Sequence, residues 1–185
     1  MDHPELDDRE LLRRVVSRDR LALADLYRRH GRVLFGQILF VVSDRGISEE
    51  ILQDTMVAVW RDAASFRGDS GVRSWMISIA RRKARDRMRR HRPIAMDDDI
   101  LSNRPDGAPG PELLALDRVE MADVASAVTM LRPGHREVLG LVFGAGLTLP
   151  EVAGVLEIPQ GTVKSRLSAA RTALSEQLRE KGYVR

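Results

Sequence analysis

The sequence predicts an all-α fold: two small helical domains joined by a flexible acidic Pro/Gly linker, with a helix-turn-helix in the C-terminal domain. Three observations predict it. Apolar residues recur at helical spacing through both halves of the chain, with no β-hairpin signal and no internal repeat. Four of the eight prolines, with Gly107 and Gly110, fall between Pro93 and Pro111, where proline's fixed φ and missing N–H forbid a helix. A short helix, a tight turn and a longer basic helix follow one another from Leu147 to Arg171. The boundaries that follow are 1–92 for the first domain, 93–112 for the linker and 113–185 for the second.

In the N-terminal half, Leu11, Leu12, Val15 and Val16 begin one apolar stripe and Leu23, Leu26 and Tyr27 a second. Val33 to Val42 is almost wholly apolar and reads as a buried central helix, broken by Ser43, Asp44, Arg45 and Gly46. Ser48 is placed to cap the next helix, with Glu49 and Glu50 in its first turn, where the helix dipole favours acids. On that helix Leu52, Met56, Val59 and Ala63 share a buried face, while Glu50, Gln53, Asp54, Val57 and Arg61 share another. Phe66 to Gly71 form a loop, and a last helix runs from about Val72 to His91. Asp97, Asp98, Asp99 and Asp106 make the linker acidic. Beyond it one helix covers about Leu113 to Leu131, and Pro133 opens the next, which runs to about Phe143.

The bulk numbers narrow the function. A chain of 185 residues holds one medium or two small domains. Hydrophobic residues at 43% against 31% charged give a folded, soluble chain, and only 4% aromatic leaves a core of Leu, Val, Ile, Ala and Met. A pI of about 9.8 at net charge +3 points towards nucleic acid, although local clustering is more telling than the total. The lack of cysteine removes disulfides and thiolate metal sites and fits a reducing cytoplasm. No apolar run approaches the roughly 20 residues of a membrane span. Met1 to Arg14 is acidic and then amphipathic, unlike a signal peptide. A cytoplasmic protein without membrane insertion is expected. His3, His30, His91 and His135 are far apart, no Gly-rich phosphate loop occurs, and no carboxylate pair sits in an apolar setting. The expectation is therefore no enzyme, no catalytic residue, no metal and no cofactor.

Three constellations carry chemistry. Thr148, Leu149, Pro150 and Glu151 read as a capping box with proline in the first turn. Val152, Ala153, Val155 and Leu156 follow on a short helix, then Glu157, Ile158 and Pro159 turn the chain. Val163 and Leu167 point inward on the second helix, and Gln160, Thr162, Lys164, Ser165, Arg166 and Arg171 point outward with no acid before Glu176. Such side chains reach base edges in a major groove; the same pattern fits an ordinary helical hairpin with a basic face. The helix from Val72 to Arg92 carries nine bases against one acid, Asp86. That density calls for a polyanion to offset self-repulsion; a solvated charge run or a membrane-surface helix are the plainer options. Trp75, Ile79, Met76, Ala80, Ala84 and Met88 give the helix its apolar stripe. The loop from Phe66 to Ser74 combines an aromatic, two arginines and small polar residues, suited either to an unstacked base or to a plain connector.

Phe66-Arg67-Gly68-Asp69-Ser70, followed by Ser74-Trp75-Met76 and Ile79-Ala80-Arg81, resembles region two of the extracytoplasmic-function sigma factors. Ser48 to Asp54, running on to Val59-Trp60-Arg61, resembles that region's polymerase-binding helix, and Gly161 to Leu167 is similar to the region-four recognition helix. The resemblance implies core RNA polymerase, promoter DNA and an anti-sigma factor as partners. It implies polymerase binding at Glu50, Gln53, Asp54, Val57 and Arg61. It implies melting and capture of the minus-10 element at Phe66, Arg67, Asp69, Ser70, Ser74, Trp75, Arg81, Arg82 and Arg85. Reading of the minus-35 element as duplex falls to Gln160, Thr162, Lys164, Ser165, Arg166 and Arg171, and the acidic linker is expected in the polymerase cleft. Family members often place Asn at the position of Arg82, and an aromatic and Arg where this chain has Ser168 and Ala169. Two other readings stand beside it. One is a two-domain helix-turn-helix regulator that does not replace sigma, which leaves the basic helix unexplained; the other is an adaptor with basic faces.

Overall fold

The computed structural model describes residues 6–90 and 126–180. The linker at 93–112 and most of the helix expected at 113–131 lie outside the described residues. The chain divides into two compact units, Met1–Pro93 and Ile94–Arg185, and every regular element among the described residues is helical.

In the first unit, α1 (Asp8–Val16) starts on Asp7, whose carboxylate accepts the Glu10 N–H at 2.7 Å. It buries Leu11, Leu12 and Val15, while Val16 turns to solvent. Asp19 caps α2 (Arg20–Val42) by accepting from the N–H groups of Leu21 and Ala22. α2 is the spine against which α1, α3 and α4 all pack. Leu26, Leu34, Ile38 and Val42 line its buried side. The apolar run at 33–42 is not buried throughout: Val33, Phe35, Phe40 and Val41 are half-exposed and Gly36 is exposed. Ten consecutive residues wrap the whole circumference of a helix, and its neighbours cover only part of it.

α2 ends on Ser43 in the left-handed region, at φ 58°. α3 (Arg45–Asp62) begins at once, capped by Asp44, which accepts the Ile47 N–H at 2.8 Å. The expected cap at Ser48 is thus corrected: Ser48 is buried inside the helix, its hydroxyl donating to the Asp44 carbonyl. Arg45 and Gly46 are helical, and Glu49 and Glu50 lie beyond the first turn. Asp44 wins because it is the first side chain free to cap after the left-handed turn. Leu52, Met56 and Val59 are buried as the spacing requires, as is Ala63 in the 3₁₀ turn Ala63–Ser65. α4 (Val72–Arg90) closes the unit against α2 and α3.

In the second unit, α5 (Pro133–Leu139) carries proline in its first turn, as expected. It does not continue as an α-helix to Phe143 but widens into a π turn at Gly140–Gly144, with glycine at both ends of the wider loop. α6 (Leu149–Leu156) follows Thr148, whose N–H and hydroxyl both donate to the Glu151 carboxylate, at 3.0 and 2.8 Å. Glu157, at φ 57°, reverses the chain, and the Ile158 N–H bonds the Ala153 carbonyl. α7 (Gln160–Glu180) then packs on α5 and α6. No helix among the described residues is long and apolar enough to cross a membrane.

Candidate nucleic-acid and polymerase interfaces

The 66–71 loop is a built structure. Phe66 returns its N–H to the Ala63 carbonyl and sets its ring against Trp75, centroids 5.5 Å apart and tilted by 59°. Both rings are half-buried, so the pair is neither core nor free surface. Gly68 takes φ 81°, a conformation that glycine adopts without strain. Arg67 and Asp69 point to solvent and Ser70 is half-buried. Ser74 does not join this surface. It is buried, and its hydroxyl donates to the Gly71 carbonyl at 2.8 Å at the start of α4.

On α4 the cations divide. Arg73, Arg82, Arg89 and Arg90 are exposed; Lys83, Arg85 and Arg87 are half-buried. Arg81 is 1% exposed. The expectation that it tracks phosphates beside Arg82 and Arg85 is corrected, because it lies on the Ile77–Ala84 stripe, both of which are buried. Burial, with the charge of Arg85 behind it, pushes its guanidinium down to about 9.

The face of α3 formed by Glu50, Gln53, Asp54, Val57 and Arg61 is exposed along its length. Val57 is 63% exposed, an apolar side chain in a polar row. Arg87 of α4 donates to Glu50 at 3.0 Å. Arg61 forks onto Asp62 at 2.7 and 2.8 Å, which holds the Asp62 carboxyl below the usual range. Beside this face, α2 and α3 leave an open groove of about 500 Å³ where Arg28, Arg32 and Arg45 meet Tyr27, Phe35 and Gln53. Periodicity did not reveal the groove, since its walls come from two helices.

On α7, Val163, Leu167 and Ala170 are buried. Gln160, Lys164, Ser165 and Arg171 are exposed, while Thr162 and Arg166 are half-buried. The Ser165 hydroxyl bonds back to the Thr162 carbonyl. The Arg166 guanidinium passes over Gly134 of α5, about 3.5 Å from where a Cβ would stand. Arg171 stacks over the exposed Phe143 ring at 5.4 Å.

Residues 26–94 match the family described as Sigma-70 region 2, and residues 128–176 match Sigma-70, region 4. The RNA polymerase sigma factor CnrH of Cupriavidus metallidurans is 33% identical over 95% of this chain and 96% of its own length. The ECF RNA polymerase sigma factor SigK of Mycolicibacterium vanbaalenii is 34% identical over 94% of this chain and 89% of its own. The chain belongs to the extracytoplasmic-function sigma factors.

A solved structure of CnrH in complex with the cytosolic domain of CnrY is similar at a TM-score of 0.66 and 29% identity, over 94% of this chain and 97% of that one. The sigma factor RpoE of Bartonella quintana, solved with the anti-sigma factor NepR, shares the fold at a TM-score of 0.59 and 24% identity, over 84% of this chain and 97% of that one. As a sigma factor this chain acts in transcription initiation with RNA polymerase and binds DNA. The region-two match spans most of α2, all of α3, the loop and all of α4, and leaves α1 outside. Yet α1 touches the loop: Arg9 donates to the Gly68 carbonyl at 3.0 Å. Sequence reasoning missed Arg9, because no local pattern joins residues 59 positions apart.

Proposed function

We propose that this sigma factor binds core polymerase through the exposed face of α3, melts and holds the minus-10 element with α4 and its preceding loop, and reads the minus-35 element as duplex with α7. The observation that carries the reading is that one chain holds two basic surfaces of different build, one with an aromatic pair beside it and one on a helix-turn-helix. An aromatic pair beside a cationic helix suits an unstacked base and its strand, whereas a helix-turn-helix with a basic outer face suits an intact major groove. Phe66, Arg67, Asp69, Ser70, Trp75, Arg82 and Arg85 serve the first; Ser74 and Arg81, both buried, drop out. Gln160, Thr162, Lys164, Ser165 and Arg166 serve the second, with Arg171 on phosphate. Glu50, Gln53, Asp54, Val57 and Arg61 serve the polymerase. An anti-sigma factor covers that same face in the restrained state. This is supported by the exposed Val57 and by the solution of the relative CnrH with the cytosolic domain of CnrY.

The test is transcription by reconstituted holoenzyme from a library randomised in both promoter elements. Two separate constrained elements are expected among the products. A pre-melted bubble should rescue Phe66→Ala at least in part and leave Lys164→Ala as weak as before. Equal loss on bubble and duplex templates would make the loop and α4 a clamp on intact DNA.

A further inference from the structure

The first turn of α1 bridges the α2 spine and the 66–71 loop. On one side Asp8 is fixed to α2: Arg29 donates to its Oδ1 at 3.1 Å and to the Leu6 carbonyl at 2.7 Å, and His30 Nε2 meets its Oδ2 at 2.7 Å. On the other side Arg9 reaches the loop. Its guanidinium donates to the Gly68 carbonyl and lies 6.0 Å from the centroid of the Phe66 ring. A Cβ on Gly68 would stand 3.3 Å from Arg9 Nη1, so the glycine supplies both the positive φ and the space for the cation. One guanidinium therefore fixes the backbone of the loop and the face of its aromatic ring together. The placement works against the helix dipole, which favours acids in a first turn, as Asp8 and Glu10 of the same turn show. Arg9 is exposed and outside the hydrophobic core.

We propose that Arg9 is a positioning residue for base capture: it presets the Gly68 carbonyl and the Phe66 ring in the geometry that receives an unstacked base. This rests on the reading of the loop as the base pocket. The plane of an arginine is what the geometry uses: one nitrogen donates to the carbonyl while the guanidinium lies beside the ring, whereas a lysine ammonium is a point charge that can donate a hydrogen bond but has no plane with which to meet both at once. A pure charge contribution to the DNA strand would be met by lysine equally well.

The experiment compares wild type, Arg9→Ala, Arg9→Lys and Phe66→Ala as reconstituted holoenzymes on a promoter library randomised in the downstream element, with base preference read position by position. Arg9→Ala should lower open-complex yield by about threefold to tenfold. It should flatten preference at the same single position that Phe66→Ala flattens, with core affinity and thermal stability unchanged. Arg9→Lys should fail to restore that preference. Full restoration by lysine, or an even loss across all positions, overturns the proposal and makes Arg9 a general cation. If Phe66→Ala flattens a position and Arg9→Ala does not, the proposal fails while the loop reading stands. If neither changes any preference, the loop reading fails and takes the proposal with it.

Discussion

Two basic helices of similar length, α4 with 19 residues and α7 with 21, meet their surroundings differently. α7 packs on α5 and α6, and its fully buried Val163, Leu167 and Ala170 sit at i, i+4 and i+7. α4 lies between α2 and α3 and buries Met76, Ile77, Ile79, Ala80 and Ala84, an arc that no single stripe describes. On a helix with one neighbouring surface, residue type sorts side chains correctly between core and solvent. On a helix held from two sides the buried arc widens past the apolar positions, and a cation is drawn in. That is how Arg81 comes to lie in the core one position from the exposed Arg82.

The largest test of this contrast is charge reversal at the two neighbours. Arg81→Glu should destabilise the N-terminal unit by about 3–5 kcal/mol, the scale of an uncompensated buried charge, and lower the urea midpoint accordingly. Arg82→Glu should leave the midpoint within about 0.5 kcal/mol, as for a surface site, and weaken promoter binding instead. Arg81→Met, apolar and of similar reach, should lose less stability than Arg81→Glu, because it buries no charge. Equal midpoints for the two glutamate variants would put Arg81 on the surface and abolish the contrast.

On α7 the expected losses are smaller and fall on recognition. Lys164→Ala and Arg166→Ala should each shift preference at one upstream position by about 1–3 kcal/mol, the value of a base contact. Arg171→Ala, whose guanidinium is stacked on Phe143, should weaken all promoters alike. Sequencing of run-off products from a library gives both readouts. Uniform loss in all three variants would mean that α7 only holds phosphates.

The same contrast explains how much was legible in the sequence. The second unit read well because its signals are local: the Thr148–Glu151 box, the turn at Glu157 and the Val163–Leu167 pair each lie within a few residues. The first unit read well in its helical class and in the α3 faces, and failed where tertiary contact decides. In sequence Ser48 reads as the cap and Asp44 as part of the break, whereas the left-handed Ser43 lets the helix start at once on Asp44. Ser74 and Arg81 were assigned to DNA by the family resemblance, although their burial depends on what packs over α4. Arg9 carries no mark at all, since its partner Gly68 is distant in sequence. The Leu139-to-Gly144 widening was hidden for another reason: an α-turn and a π-turn look alike in apolar spacing.

A smaller effect separates α1 from the rest of the first unit. His30 is 2% exposed and bonded to Asp8 of α1. Burial above all holds its imidazole below the ordinary 6.5; Asp8 opposes this, and Arg73 of α4 and Arg29 of α2 add to it. The unfolded chain therefore takes up a proton that the folded chain refuses. Stability from this group is complete above about 6.5 and is lost as pH falls from there towards the folded value. The urea midpoint of the N-terminal unit should drop as pH falls through and below about 6.5, and His30→Gln should flatten that slope. Identical slopes in the two proteins would show that folded His30 protonates freely.

The smallest expected effect tests whether the outer end of α4 behaves like α7. Arg87 and Glu50 form an ion pair at 3.0 Å between α4 and α3, with side chains 39% and 64% exposed. Solvent screens such a pair and two long side chains lose freedom to make it, so its coupling should be about 0–1 kcal/mol. A double-mutant cycle with Arg87→Ala and Glu50→Ala should return a value in that range at low salt and almost none at about 1 M, where the screening length is about 3 Å. The pair has more consequence for binding than for folding. Glu50 belongs to the face proposed for the polymerase and Arg87 to the helix proposed for DNA, so each holds the other's charge while the chain is free. Arg87→Ala should leave the unfolding midpoint almost unchanged and make core binding more sensitive to salt, because Glu50 is then an open charge at the interface. A large coupling that survives high salt would mean that this end of α4 is as tightly built into the core as Arg81, and that the division between its buried middle and its solvated end is misplaced.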